Sequence, residues 1–154
     1  MTKSLVIVFV KNSKLGTVKT RLAKTIGNYG ASEVYSELVQ ITEKATEQLQ
    51  VDKRIYFSNA VVDTRWQNDF KAVQSGSDLG ERMLNAFKQG FEDGYERIVL
   101  IGSDLPEISS LHILKGLKAL ETKDVVFGPA EDGGYYLVGL SKMNTTIFTN
   151  KPWS

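Results

Sequence analysis

The chain has 154 residues, 42% of them apolar and 24% charged, with a formal net charge of +1. This is the make-up of an ordinary globular domain large enough for a real core, and the near-zero charge argues against nucleic acid as a main partner. Cysteine is absent and His112 is the sole histidine, so disulfides, thiolate catalysis and cysteine-ligated zinc are excluded and a Ser-His-Asp triad has little support. Any metal would be a hard cation on carboxylate oxygens, such as Mg²⁺ or Mn²⁺. No apolar run approaches membrane-spanning length, and Leu5–Val10 is too short for a signal-peptide core, so no membrane partner is expected and the cytoplasm is the expected location.

Leu5-Val6-Ile7-Val8-Phe9-Val10 reads as a first buried strand. A polar loop, Lys11–Val18 with Gly16, leads to Lys19-Thr20-Arg21-Leu22-Ala23, the start of a short helix. Val34, Leu38, Ile41, Ala45 and Leu49 recur at helical spacing and predict a long amphipathic helix over 31–50. Arg54–Phe57 is the second strand, Asp63–Asp69 a short polar helix and Ala72–Gln74 a brief third strand. The loop Gln74–Gly80 opens a helix with Met83, Ala86, Phe87 and Phe91 on one face. The strand Arg97–Ile101 follows, then a helix from Ser109 to about Leu120 with Ile113, Leu114, Leu117 and Leu120 inward. Strands at Val125–Phe127 and Tyr135–Gly139 complete the set. Their connection is too short for a helical crossover, so one of them runs antiparallel in an otherwise parallel α/β sheet.

Two strand ends carry aspartate. Val125-Val126-Phe127 ends in Gly128-Pro-Ala-Glu-Asp-Gly-Gly134 before Tyr135-Tyr136, a hairpin turn on one reading and a ligand-facing carboxylate with accessible backbone on the other. Ile98–Ile101 has no polar alternation and ends in Gly102-Ser103-Asp104-Leu105-Pro106. Ligands of open α/β sheets bind outside the carboxyl ends of the strands, so two such ends point to one shared site. Lys3, Lys11, Lys14, Lys19, Arg21 and Lys24 precede the first acidic residue, Glu33, a basic opening suited to a small anion. Gly16-Thr-Val-Lys19-Thr20 fails as a P-loop on glycine spacing, and no G-x-G-x-x-G follows the first strand. Lys19 and Arg21 at a helix start nonetheless suit a pyrophosphate. Gln74–Gly80 is either a loop with Asp78 as helix cap or a base-facing segment in which Gln74 reads a nucleobase edge and Gly76 and Gly80 make room.

Together Phe9-Val10-Lys11, Gly16-Thr-Val-Lys-Thr-Arg-Leu22, Asp78-Leu-Gly-Glu-Arg-Met83, Ile101-Gly-Ser-Asp-Leu-Pro106 and Gly128–Leu140 resemble the GT-A nucleotide-dependent transferases. More specifically, the chain resembles the small bacterial radical-SAM/selenodomain-associated transferase family of glycosyltransferase type. The lysine-threonine-arginine-leucine run and the aspartate-x-proline strand end are also similar to 2-phospholactate guanylyltransferase, and more distantly to the molybdenum-cofactor guanylyltransferases. The resemblance implies a single Rossmann-like GT-A domain over 1–154, a three-layer, mostly parallel sandwich with one antiparallel strand near the C-terminus. It implies nucleotide binding by Lys11, Lys19, Arg21, Gln74, Gly80 and Arg82, a divalent cation on Asp104, and an acceptor side lined by Asp132, Gly133, Gly134 and Tyr135. Asp104 and Asp132 are then the expected catalytic pair, and the position of Asp132 alone makes it the candidate general base.

The implied partners are a nucleotide sugar or nucleoside triphosphate and a small-molecule acceptor. Glycosyl transfer is the first reading, nucleotidyl transfer with pyrophosphate release the alternative, and a non-catalytic nucleotide-binding fragment a third. Relatives continue beyond the Pro152-Trp153-Ser154 segment into a helical region whose aspartate-x-aspartate completes the metal site in related guanylyltransferases. The expectation here is a domain without that region, Asp104 without its usual carboxylate partners, and apolar surface that would drive homodimerisation or poor solubility.

Overall fold

The computed structural model describes residues 3–12, 36–103, 105–129 and 135–148. In chain order these give β1 (Ser4–Val10), a helix α1 described over 36–47, β2 (Asp52–Phe57), β3 (Phe70–Val73), α2 (Leu79–Glu92), β4 (Arg97–Gly102), α3 (Ser110–Ala119), β5 (Val125–Pro129), β6 (Tyr135–Leu140) and a single 3-10 turn, Thr145–Phe148. The expected short helix at 19–23, and Val34 of α1's predicted apolar stripe, lie outside the described residues.

The strands form one six-stranded sheet in the order β3-β2-β1-β4-β6-β5. β1, β2, β3 and β4 run parallel, while β6 is antiparallel to both of its neighbours, β4 and β5. The predicted mostly parallel sheet with one reversed strand is therefore present, and β6 is the reversed strand. β1 lies between β2 and β4, and every residue from Leu5 to Val10 is buried, which is why its sequence shows no polar alternation.

Strand alternation divides the core between the two faces of the sheet. Val6, Val8 and Val10 join Ile55, Phe57, Val99 and Ile101 under Val39 of α1 and Ile113 and Leu117 of α3. Leu5, Ile7 and Phe9 join Ile98, Leu100, Val138 and Leu140 under Met83, Ala86 and Phe87 of α2 and Phe148. Helices on both faces make three layers. Gly90 lets α2 sit low on the sheet, since a Cβ there would stand 2.6 Å from Ile98 Cδ1.

Several local expectations are corrected. Residues 63–69 form turns rather than a helix. Trp66 has a left-handed φ of 45° and is buried, its indole donating to Thr46 Oγ1 at 2.9 Å and its backbone N–H to Glu43 Oε2 at 2.9 Å. Docking that ring against α1 outweighs the weak local helical preference. Leu114 faces solvent at 45% exposure; the inward positions of α3 are Ile113, Gly116 and Leu117, with Leu120 following at the cap. A residue one step from Ile113 is rotated by about 100° around the helix, off that stripe. β2 begins at Asp52, and β3 spans 70–73, both starting before their expected first residues.

Candidate functional site

The parallel strands β1 to β4 all end on one edge of the sheet, and the reversed β6 begins there. Lys11 and Asn12 follow β1, Ser58 to Ala60 follow β2, Gln74 to Asp78 follow β3, and Ser103 follows β4. The last β4–β6 pair is Ile101 with Leu137, so the two chains leave the sheet side by side. This is the edge at which open α/β sheets place their ligands.

Asn12 organises the exits of β1 and β2. Its Oδ1 accepts the backbone amides of Asn59 at 2.6 Å and Ala60 at 2.9 Å, and its Nδ2 donates to the Ala60 carbonyl at 2.8 Å. The Asn12 amide donates to Ser58 Oγ at 2.8 Å. Sequence reasoning missed this residue, although an asparagine directly after a buried strand is a type that bonds nearby backbone in turns. Its neighbour Lys11 is exposed.

The segment after β3 is braced by α2. Gln74 continues the ladder through its amide to the Phe57 carbonyl at 2.8 Å, and its Nε2 donates to the Tyr56 carbonyl at 3.1 Å. Arg82 donates from Nε to the Gly76 carbonyl at 3.0 Å and from Nη1 to Gln74 Oε1 at 3.4 Å, and Asn85 donates to the Ser75 carbonyl at 2.8 Å. Gly76 has φ of +146°, and a Cβ there would lie 2.8 Å from the Arg82 backbone nitrogen. Asp78 caps α2 by accepting the Glu81 amide at 2.8 Å, and Gly80 is buried within the first turn of that helix. On its outer side Arg82 borders an open groove of about 430 Å³ with Tyr56, Ser75 and Gln89.

The two tyrosines that open β6 part company. Tyr135 is 51% exposed with its ring against Phe127, centroids 4.7 Å apart. Tyr136 is half-buried against the cluster beneath α1 and α3, and meets the His112 imidazole edge-on at 5.6 Å. His112 itself belongs to the cap of α3, its Nδ1 accepting the Ser109 amide at 3.1 Å.

Lys19, Arg21, Asp104, Asp132, Gly133 and Gly134 lie outside the described residues. Among the described residues no group of three or more His, Cys, Asp or Glu side chains stands ready for a metal.

Shifted titrations among the described residues occur at the opposite edge. The Arg54 guanidinium bonds Asp93 at 2.6 Å and holds that carboxyl below its ordinary range, with Gln89 assisting. Burial and the bond to Asp52 push the Tyr95 phenol up. These groups tie the start of β2 to the end of α2 and belong to the scaffold.

The sheet order, with its reversed sixth strand and ligand-side loops, defines the fold of nucleotidyltransferases and nucleotide-diphospho-sugar transferases. It superposes with a TM-score of 0.90 on a crystal structure from Desulfovibrio desulfuricans G20 described as a "putative nucleotide-diphospho-sugar transferase", at 36% identity over 100% of this chain and 71% of that one. The 4-diphosphocytidyl-2C-methyl-D-erythritol synthase of Anaerococcus prevotii DSM 20548 shares the fold at a TM-score of 0.56 and 12% identity, covering 95% of this chain and 73% of its own.

The chain belongs to the family described as "Uncharacterized protein conserved in bacteria (DUF2064)", whose sequence model matches residues 39–154. It is also 26% identical over 138 residues to a 2-phospho-L-lactate guanylyltransferase of Methanocaldococcus sp. (strain FS406-22), covering 89% of this chain. The chain spans 60% of the length of that curated relative. The GT-A likeness expected from the motifs is borne out. Among the described residues no helix is long and apolar enough to cross a membrane.

Proposed function

We propose that this chain forms the nucleotide-binding core of a metal-dependent transferase that takes a nucleotide-activated donor, a nucleotide sugar, and a small hydroxyl-bearing acceptor. The observation that carries the reading is the reversal of β6, which begins at the same edge of the sheet where β4 ends, so that the strand following Asp132 in sequence and the strand preceding Asp104 meet there. The likeness to the Desulfovibrio protein supports the nucleotide-sugar donor.

In this reading Lys19 and Arg21 hold the diphosphate through charge and hydrogen bonds, and Lys11 adds positive charge at the exit of β1. The braced segment from Gln74 through Gly80 and Arg82 faces the base; Gln74 and Arg82 fix its backbone, which makes the contacts. Asp104 supplies oxygen ligands to Mg²⁺ or Mn²⁺, a Lewis acid that neutralises charge on a leaving diphosphate when bound. Asp132 takes the proton of the acceptor hydroxyl, Gly133 and Gly134 leave room for the acceptor, and Tyr135 borders it.

A second reading, nucleotidyl transfer from a nucleoside triphosphate to a phosphorylated acceptor, is favoured by the likeness to the guanylyltransferase. Product analysis separates the two. The full chain is incubated with Mg²⁺, a panel of nucleotide sugars or triphosphates, and simple hydroxyl or phosphate-bearing acceptors. Release of nucleoside diphosphate supports glycosyl transfer, and release of pyrophosphate replaces it with nucleotidyl transfer. Nucleotide binding with neither product leaves a non-catalytic nucleotide-binding module, and the absence of binding rejects all three.

A further inference from the structure

Among the described residues, the buried polar side chains are those of Thr42, Thr46 and Ser103. The two threonines are satisfied within α1 and by its neighbour Trp66. Thr42 Oγ1 donates to the Leu38 carbonyl at 2.9 Å. Thr46 Oγ1 donates to the Thr42 carbonyl at 3.1 Å and accepts the Trp66 indole at 2.9 Å. Ser103 is only 4% exposed, and among the described residues no donor or acceptor bonds its hydroxyl. Buried polar groups are as a rule hydrogen-bonded, so one that the fold leaves unmatched calls for a functional reason.

Ser103 is the first residue after β4, at the edge where the parallel strands end. The β1–β4 ladder closes on the pair Phe9 and Gly102, so Ser103 stands level with Val10, one residue before the exposed Lys11. On the other side of β4, β6 begins through a bulge at Tyr136, where the β5–β6 register shifts. The buried side chains at this end of the core, Val10, Ile101, Ile108 and Leu137, are apolar and offer no acceptor. The Val10 carbonyl already accepts the Ser58 amide at 2.9 Å.

We infer that the Ser103 hydroxyl is a ligand contact, donating its hydrogen to a phosphate oxygen of a bound nucleotide. The inference rests on the nucleotide reading of this edge. A serine hydroxyl has one hydrogen to donate, and a bond to a charged oxygen is the stronger kind. Lys11 brings positive charge to the same strand ends, which favours an anionic oxygen over a neutral one. A buried hydroxyl that no protein group satisfies costs stability until a ligand atom satisfies it.

The test compares Ser103→Ala with the parent in the full chain. Thermal melting is followed without ligand, and calorimetry measures the binding of uridine diphosphate, guanosine diphosphate and inorganic pyrophosphate in the presence of Mg²⁺. The substitution removes one oxygen. Without ligand the variant is expected to melt at the parent's temperature or above it, because no protein bond is lost and a buried hydroxyl is gone. Its affinity is expected to fall about tenfold, and alike for each of the three anions that the parent binds.

A lower melting temperature of the unliganded variant shows that the hydroxyl bonds the protein, and an unchanged affinity shows that the ligand does not use it. Either result overturns the inference. A fall for one anion with none for another overturns the assignment to phosphate. A parent that binds none of the three fails the nucleotide reading of this edge itself, and the role of Ser103 falls with it.

Discussion

The side chain of Asn12 pairs with the backbone of Ala60 at both ends, donating to its carbonyl at 2.8 Å and accepting its amide at 2.9 Å. The β1–β2 ladder stops at the pair Val10 and Phe57, so these bonds extend the junction by side chain where the backbone has diverged. The segment carrying Lys19 and Arg21 departs from this point. Asn12→Ala strips partners from the Asn59 and Ala60 amides, which sit at an exposed edge where water replaces part of the loss. A stability decrease of about 1 kcal/mol is expected in urea denaturation, with weaker nucleotide binding alongside it. An unchanged midpoint would show that water substitutes fully for the carboxamide.

The segment after β3 makes a sharper prediction. Gly76→Ala places a β-carbon 2.8 Å from the Arg82 nitrogen at a φ that alanine seldom adopts. The expected cost is about 1–3 kcal/mol in denaturant unfolding, the range for a residue held in a sparsely populated conformation. Asp78→Ala removes the α2 cap nearby and is expected to cost about 1 kcal/mol. If the alanine at 76 is neutral while the one at 78 is costly, the brace between Arg82 and Gly76 is loose in solution.

Much of this was legible in the sequence because it is local. Uninterrupted apolar runs announced β1 and β4, and the short interval between β5 and β6 excluded a parallel crossover. Asp78 as a helix cap was one of two readings of its loop, and the structure gives it that place. What escaped depends on residues far apart in the chain. Asn12 meets partners 46 to 48 positions away, and no pattern around residue 12 marks them. The docking of Trp66 on Thr46 similarly replaces a predicted helix by turns. The bulge at Tyr136 is set by the glycine across the ladder, a cross-strand fact. The likeness of the motif series to known transferases reached further than any single spacing, since Lys19–Arg21 taken alone matches no phosphate loop.

Asp93 gives a pH prediction for the scaffold. Its bond to Arg54, with help from Gln89, lowers its pKa in the folded state. A carboxyl lowered on folding contributes stability above its unfolded value of about 4, and that contribution fades as pH falls through the folded value. Asp93→Asn should therefore be less stable than the parent at pH 7, and the gap should narrow at pH 3. Urea midpoints of both proteins at the two pH values check this. The effect is modest because Asp93 is 38% exposed. A gap of equal size at both pH values would contradict the assignment.

The central claim is that this edge of the sheet binds a nucleotide with the help of a divalent cation on Asp104. It is tested most directly by the melting temperature of the full chain against nucleoside triphosphates and nucleotide sugars, each with Mg²⁺, with Mn²⁺ and with EDTA. A cognate nucleotide at a hundredfold excess over its Kd should add about 2.7 kcal/mol of stability, with a smaller gain in EDTA and in Asp104→Asn. A panel in which no nucleotide raises the melting temperature under any metal condition, or in which the gain is the same with the metal removed, would contradict it.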